Sequence, residues 1–188
     1  MIKLNCAEIA LMLDGALTGH NVSISNVSTD SRVIAQHDLF IALKGPNFDG
    51  SAFVAEVKEK GAAAVVVEQA VAVDIPQIIV QDTRLALGQL AAAVKARLAP
   101  KTIAVTGSAG KTTVKEMMAA ILSRRGNVLA TQGNFNNDIG VPLTMLRLTE
   151  QHQYAVLELG ANHQGEIAYT TSLAKPDVAI ITNVAPSH

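Results

Sequence analysis

The 188-residue chain has no tryptophan, two tyrosines and four phenylalanines, so aromatic residues make up only 3% of it. Without large rings, a core has to be filled by aliphatic side chains, and these dominate the 49% hydrophobic content. Charge is also scarce: 16% of residues are Asp, Glu, Lys or Arg, and the formal net charge is −1. The absence of a basic block or stripe argues against a nucleic-acid or anionic-membrane partner. With one cysteine, Cys6, no internal disulfide can form, so cytoplasmic residence is expected. Cys6 itself reads as a core filler, because no activating residues surround it. Lys3, Glu8 and Asp14 interrupt the N-terminal apolar stretch, which is therefore neither a signal peptide nor a membrane-inserted helix.

What is present is an alternation of short apolar runs with helical patterns. Helices are expected from about Asn5 to Leu13, Ser51 to Lys60 and Arg84 to Leu98, the last capped by Asp82-Thr83 and closed by Pro100. Strands are expected at Ile24 to Val27, Leu39 to Leu43, Ala64 to Val67 and Gln77 to Val80. From Thr102 the pattern becomes more regular. Strands at Thr102 to Val105, Val128 to Thr131, Tyr154 to Leu159 and Val178 to Asn183 alternate with helices at Lys111 to Arg125, Val141 to Leu148 and Gln164 to Leu173. The fold class is therefore α/β: a small mixed α/β N-terminal domain, then the first part of a P-loop domain with a doubly wound parallel sheet. We place the domains at 1–82 and 101–188, with residues 83–100 as connecting helix and linker. The series stops directly after a strand, where an open parallel sheet normally continues with a covering helix, so a fragment is expected.

The strongest chemical signal is Thr106-Gly107-Ser108-Ala109-Gly110-Lys111-Thr112-Thr113, directly behind Ile103-Ala104-Val105. A strand feeding a glycine-rich turn and then a helix gathers backbone N–H groups, a lysine ammonium and a threonine hydroxyl in one small volume. A triphosphate with Mg²⁺ needs that set. The spacing is unusual, because Val105 stands where the first glycine of the common motif would be. An ordinary strand-to-helix turn is the bland alternative, but such a turn rarely carries Gly-Lys-Thr-Thr together.

Ligands of doubly wound sheets bind beyond the carboxyl ends of the strands. Glu158 ends the Tyr154 strand, and His188 follows the Val178 strand. Mg²⁺ accepts one or two carboxylates plus phosphate and water, which makes Thr112 and Glu158 the natural metal pair and His188 a less typical third ligand. As a plain surface carboxylate Glu158 would be misplaced, since an unpaired charge inside Ala155-Val156-Leu157-Glu158-Leu159 is expensive. The loop from Gly133 to Asp138, with three asparagines, and the segment Asn162-His163 are half turn chemistry and half site candidates. His20, His37 and His152 have no metal spacing and read as solvent-facing.

Together these segments resemble the ATP-dependent Mur ligases of peptidoglycan synthesis, over essentially the whole chain. TGSAGKTT matches the shortened nucleotide motif of that family, and GNFNNDIGVPLTMLRL and ELGANHQGEI are similar to the branch that adds D-alanyl-D-alanine to UDP-N-acetylmuramoyl-tripeptide. STDSR, DLFIALKGPNFDG and GAAAVVVE resemble its domain for the uridine diphosphate. The resemblance implies Gly107 to Thr113 as the ATP loop, and Lys111, Glu158 and His188 as catalytic residues, with Glu158 and His188 near Mg²⁺. It implies Ser31, Arg32, Asn47 and Phe48 as UDP-side contacts, Asn137 further along the substrate, and a monomer at full length. In the family, a carbamylated lysine and a third, closing domain follow the part represented here, so the chain is expected to be inactive alone. The implied reaction passes through an acyl phosphate. The alternatives are a UDP-sugar and ATP binding module without catalysis, a folylpolyglutamate-type ligase, or a P-loop kinase or GTPase. The STDSR region does not suit the folylpolyglutamate type, nor the loop spacing the last pair.

Overall fold

The computed structural model of the chain describes residues 1–185. It divides into two compact units, Met1–Leu90 and Ala91–His188, and the boundary falls inside one long helix.

In the first unit β1 (Leu4–Asn5) leads into α1 (Cys6–Met12). Asn5 fixes the start of this helix. Its Oδ1 accepts the Glu8 N–H at 2.9 Å, while Glu8 Oε2 accepts the Asn5 N–H at 3.0 Å, a reciprocal cap. Cys6 is fully buried, and desolvation pushes its thiol above the ordinary range, as suits a core filler. The chain continues through β2 (Ala16–Thr18), β3 (Ser23–Ile24), β4 (Asn26–Ser28), β5 (Asp38–Ile41), β6 (Lys44–Gly45), β7 (Phe48–Asp49), α2 (Val54–Glu59), β8 (Ala64–Val67) and β9 (Gln77–Ile79).

The main sheet has the order β2-β9-β8-β5-β4; β4, β5, β8 and β9 run parallel and β2 is an antiparallel edge. β5 and β8 are buried at every position, as central parallel strands covered on both faces must be. One face packs Phe40, Val65 and Val67 against Val54 and Val57 of α2. The expected strand at Ile24 to Val27 is split at Ser25, whose N–H donates to the His37 carbonyl. β3 then pairs with β1 and β4 with β5. The helix expected from Ser51 starts only at Val54. Before it lies a 3-10 turn, Gly50–Phe53, opened by Asp49 Oδ1 accepting the Ser51 N–H at 2.9 Å.

α3 (Thr83–Leu98) begins where Asp82 Oδ1 accepts the N–H groups of Arg84 and Leu85, at 2.8 and 2.9 Å. The second unit then runs β10 (Lys101–Thr106), α4 (Lys111–Leu122), β11 (Val128–Ala130), α5 (Gly140–Met145), β12 (Tyr154–Glu158), α6 (Glu166–Ala174) and β13 (Val178–Ile181). Its four strands are all parallel in the order β11-β12-β10-β13, so β10 lies inside the sheet. Ile103, Val105 and Val156 face Val114, Met118 and Leu122 of α4, while Leu129 and Ala155, which point to the other face, pack with Leu148 and Leu98. Both faces are thus covered, which makes the sheet doubly wound. β13 differs: Val178 is 53% and Ile181 64% exposed. Among the described residues no helix is long and apolar enough to cross a membrane.

Candidate functional site

β10 delivers the chain to the carboxyl edge of the sheet, where the glycine-rich turn begins. Gly107 has φ +135°, and a Cβ there would run into Thr182 Oγ1 and stand 3.0 Å from the backbone N and O of Asn183, so only glycine fits. The turn is fastened to the segment leaving β13. Ser108 N–H donates to the Asn183 carbonyl at 3.2 Å, Ala109 N–H to Asn183 Oδ1 at 2.8 Å, and Ser108 Oγ to the Ala185 carbonyl at 2.8 Å. Gly110, at φ +77°, forms the N-terminal cap of α4 with no side-chain cap. The first-turn N–H groups of Lys111, Thr112 and Thr113 therefore have no intrahelical acceptor, which is the ordinary form of an anion site.

Lys111 folds back over the turn, its Nζ donating to the Gly107 carbonyl at 2.8 Å. Thr112 Oγ1 donates to Glu158 Oε2 at 2.9 Å, and Asn136 Nδ2 donates to Glu158 Oε1 at 3.0 Å. Glu158 is 3% exposed, so these two bonds are what make its burial tolerable. The pair expected to hold Mg²⁺ is therefore in direct contact. A hydroxyl and a carboxylate make an all-oxygen donor pair, which fits a magnesium ion completed by phosphate and water. Among the described residues no group of three or more His, Cys, Asp or Glu could hold a metal ion. His188 lies outside the described residues.

Asn137, singled out from the Gly133 to Asp138 loop, puts its Oδ1 on the backbone instead, accepting from Gly140 N at 2.7 Å and Ile139 N at 3.3 Å. Its neighbour Asn136 reaches Glu158. Nothing in the sequence separates the two, since both lie in one asparagine run. Asn162 and His163 form the entry to α6: Glu166 Oε2 accepts the Asn162 N–H at 2.7 Å, and the Glu166 N–H donates to the His163 carbonyl. His20 and His37 are exposed. His152 is not solvent-facing as expected; it is half-buried, its Nδ1 accepts the Thr149 N–H at 3.0 Å, and desolvation holds its pKa below the usual value.

In the first unit β4, β5 and β8 run parallel, so the segments following them leave by one edge of the sheet. Ser31 and Arg32 follow β4; Asn47 and Phe48 lie in the β6–β7 ribbon after β5. Ser31 is half-buried, and its carbonyl accepts from Lys60 Nζ at 2.8 Å. Arg32, with 84% of its side chain exposed, makes a two-pronged pair with Asp30, Nε to Oδ1 at 2.8 Å and Nη2 to Oδ2 at 2.6 Å. Asn47 is exposed, and Phe48 is half-exposed and stacks on Phe53 with ring centres 5.9 Å apart. The Arg32 hydrogen bonds hold the Asp30 carboxyl down at about 2. A depressed carboxyl stabilises the folded form above its ordinary pKa of 3.8 and loses that contribution as pH falls through 2. The pair is thus intact at neutral pH. The expected result is an Asp30 carboxyl ¹³C shift that titrates near 2; a midpoint near 3.8 would show that the pair does not hold in solution.

A doubly wound parallel sheet with a glycine-rich turn and a Lys-Thr pair at the end of an inner strand places the second unit in the class of α/β proteins with a P-loop type of turn. The comparisons with known proteins narrow this. The Mur ligase middle domain matches residues 105–188, and the domain described as Mur ligase family, catalytic domain, matches residues 23–95. The UDP-N-acetylmuramoyl-tripeptide--D-alanyl-D-alanine ligase of Escherichia coli (strain K12) is 50% identical over 188 residues, covering 100% of this chain and 42% of that protein. Among solved structures, MurF from Acinetobacter baumannii superposes with a TM-score of 0.95 at 45% identity, covering 100% of this chain and 42% of that one. The MurF ligase from Thermotoga maritima in complex with ADP gives a TM-score of 0.76 at 34% identity, covering 84% and 37%. The chain belongs to the Mur ligase family. It spans 42% of the length of the E. coli relative.

Proposed function

We propose that this chain supplies the nucleotide-holding parts of an ATP-dependent ligase that joins D-alanyl-D-alanine to UDP-N-acetylmuramoyl-tripeptide in cytoplasmic peptidoglycan precursor synthesis. The observation that carries this reading is the contact of Thr112 with Glu158 beside an uncapped helix N-terminus and Lys111. Identity to the E. coli ligase along the whole chain narrows the substrate. In this reading residues 1–82 hold the uridine diphosphate, residues 83–100 connect, and residues 101–188 hold ATP.

The chemistry to be solved is charge. The terminal carboxylate of the tripeptide must attack the γ-phosphorus of ATP, releasing ADP and forming an acyl phosphate, and the amine of D-alanyl-D-alanine then attacks the acyl carbon, releasing inorganic phosphate and a proton. Both partners are anionic. Lys111 exchanges the Gly107 carbonyl for phosphate oxygens, and the first-turn N–H groups of α4 take further oxygens. Thr112 and Glu158 would hold Mg²⁺, which when bound supplies the remaining neutralisation. Asn136 keeps the Glu158 carboxylate aimed while doing so.

The test is calorimetric titration of the 188-residue chain with ADP, with and without Mg²⁺, and separately with UDP. Binding of both nucleotides, that of ADP strengthened by Mg²⁺, is expected. A folded chain that does not bind ADP would overturn the reading. Arg32→Ala should weaken UDP binding severalfold and leave ADP binding unchanged; equal UDP binding would remove Arg32 from the uridine diphosphate site.

A further inference from the structure

Among the described residues Lys115 is the one charged side chain in the set of largest fully buried ones, at 1% exposure, and it lies one helical turn beyond Thr112 on α4. Its Nζ donates to the Thr131 carbonyl at 2.7 Å and pairs with Glu116 Oε1 at 2.6 Å. The partner it takes from Thr131 is a group the sheet would ordinarily use. β11 and β12 pair in parallel through Ala130 and Val156, and Thr131 extends that ladder by donating its N–H to the Val156 carbonyl at 3.0 Å. In the regular parallel pattern the next bond runs from the Glu158 N–H to the Thr131 carbonyl. Instead the Glu158 N–H donates to Thr131 Oγ1, at 3.0 Å. The ammonium has the carbonyl and the hydroxyl has the amide. This exchange takes place at the residue whose carboxylate receives Thr112 and Asn136.

We propose that Lys115 is a positioning residue for Glu158: it diverts the Thr131 carbonyl from the sheet so that the Thr131 hydroxyl, not the ladder, sets where the Glu158 backbone sits. Lys115 and Thr112 share one face of α4, so the helix grips the ends of β11 and β12 at two points a turn apart. Removing the ammonium frees the carbonyl to take back the Glu158 N–H, and the carboxylate is carried off its line to Thr112. The inference rests on the reading of Thr112 and Glu158 as the Mg²⁺ pair. It adds residues that touch neither metal nor nucleotide.

The experiment compares Lys115→Met, Thr131→Val and Thr131→Ser in the 188-residue chain. The first readout is the Glu158 amide in a ¹H–¹⁵N spectrum, and the second is ADP affinity with and without Mg²⁺. Lys115→Met and Thr131→Val should each shift the Glu158 amide and reduce the strengthening by Mg²⁺ roughly tenfold, the usual effect of losing an outer partner of a metal ligand. Mg²⁺-free ADP affinity should stay within about twofold, and Thr131→Ser, which keeps the hydroxyl, should restore the wild-type values. If Lys115→Met does not fold, the Thr131→Val and Thr131→Ser pair decides alone. Unaltered Mg²⁺ dependence in the folded variants overturns the inference while leaving the proposed function standing, and so does an equal loss with and without Mg²⁺, which marks a merely structural role. Failure of the unsubstituted chain to bind ADP overturns both.

Discussion

Lys111→Ala is expected to lower the affinity for ADP roughly 10- to 100-fold, the range for losing hydrogen bonds to a charged group, while UDP binding stays unchanged. In the nucleotide-free chain the lysine contributes only the bond from Nζ to the Gly107 carbonyl, which is half-exposed and can turn to water. Stability should therefore change by no more than about 1 kcal/mol. The two effects separate because the bonds that fasten the turn run to Thr182, Asn183 and Ala185, and Lys111 takes no part in them. Paired measurements of melting temperature and ADP titration check this. An unchanged affinity would remove Lys111 from the nucleotide site, and a collapse of stability would show that the lysine is part of the scaffold of the turn.

The residues that carry the chemistry by type were legible, and those that carry it by placement were not. Gly107 to Thr113 declare themselves because few other structures need glycine, lysine and threonine together behind a buried strand. Glu158 declares itself because a carboxylate in an apolar run needs a partner, and the structure supplies Thr112 and Asn136. Asn183 holds two amides of the turn, yet in the sequence it reads only as the last residue of the strand expected from Val178, which in the structure ends at Ile181. Asn136 and Asn137 cannot be told apart by chemistry, and only the turn that opens α5 decides which one is spent on the backbone. Lys115 is hidden for the opposite reason, since a lysine within a helix normally means a solvated face. In the first unit the long central strands follow from apolar runs. β2 and the β6–β7 ribbon, only two or three residues each, form because tertiary pairing offers them partners, which no local pattern announces.

Gly107→Ala is expected to damage both stability and nucleotide binding, and it separates the scaffold of the turn from its chemistry. The position has φ +135°, which an L side chain rarely adopts, at a cost of about 1–3 kcal/mol. The added methyl also has nowhere to go. Thr182 Oγ1 cannot simply rotate away, because its single proton is held by the Ala109 carbonyl at 2.6 Å, with the Thr106 carbonyl 3.2 Å from the same oxygen, and the Asn183 backbone N and O also stand 3.0 Å from the added methyl. Making room breaks the Thr182 hydroxyl bond, worth about 1 kcal/mol, so with the backbone cost the total loss is roughly 2–4 kcal/mol. For a unit of this size that lowers the melting temperature by roughly 10 °C or more. The Ser108 and Ala109 amides move with Asn183, so the turn no longer presents Lys111 and the start of α4 to one phosphate group. ADP binding should fall below that of Lys111→Ala even at temperatures where the variant remains folded. Wild-type stability with wild-type ADP affinity would mean that the segment after β13 does not hold the turn in solution, and the fastening through Asn183 would have to be abandoned.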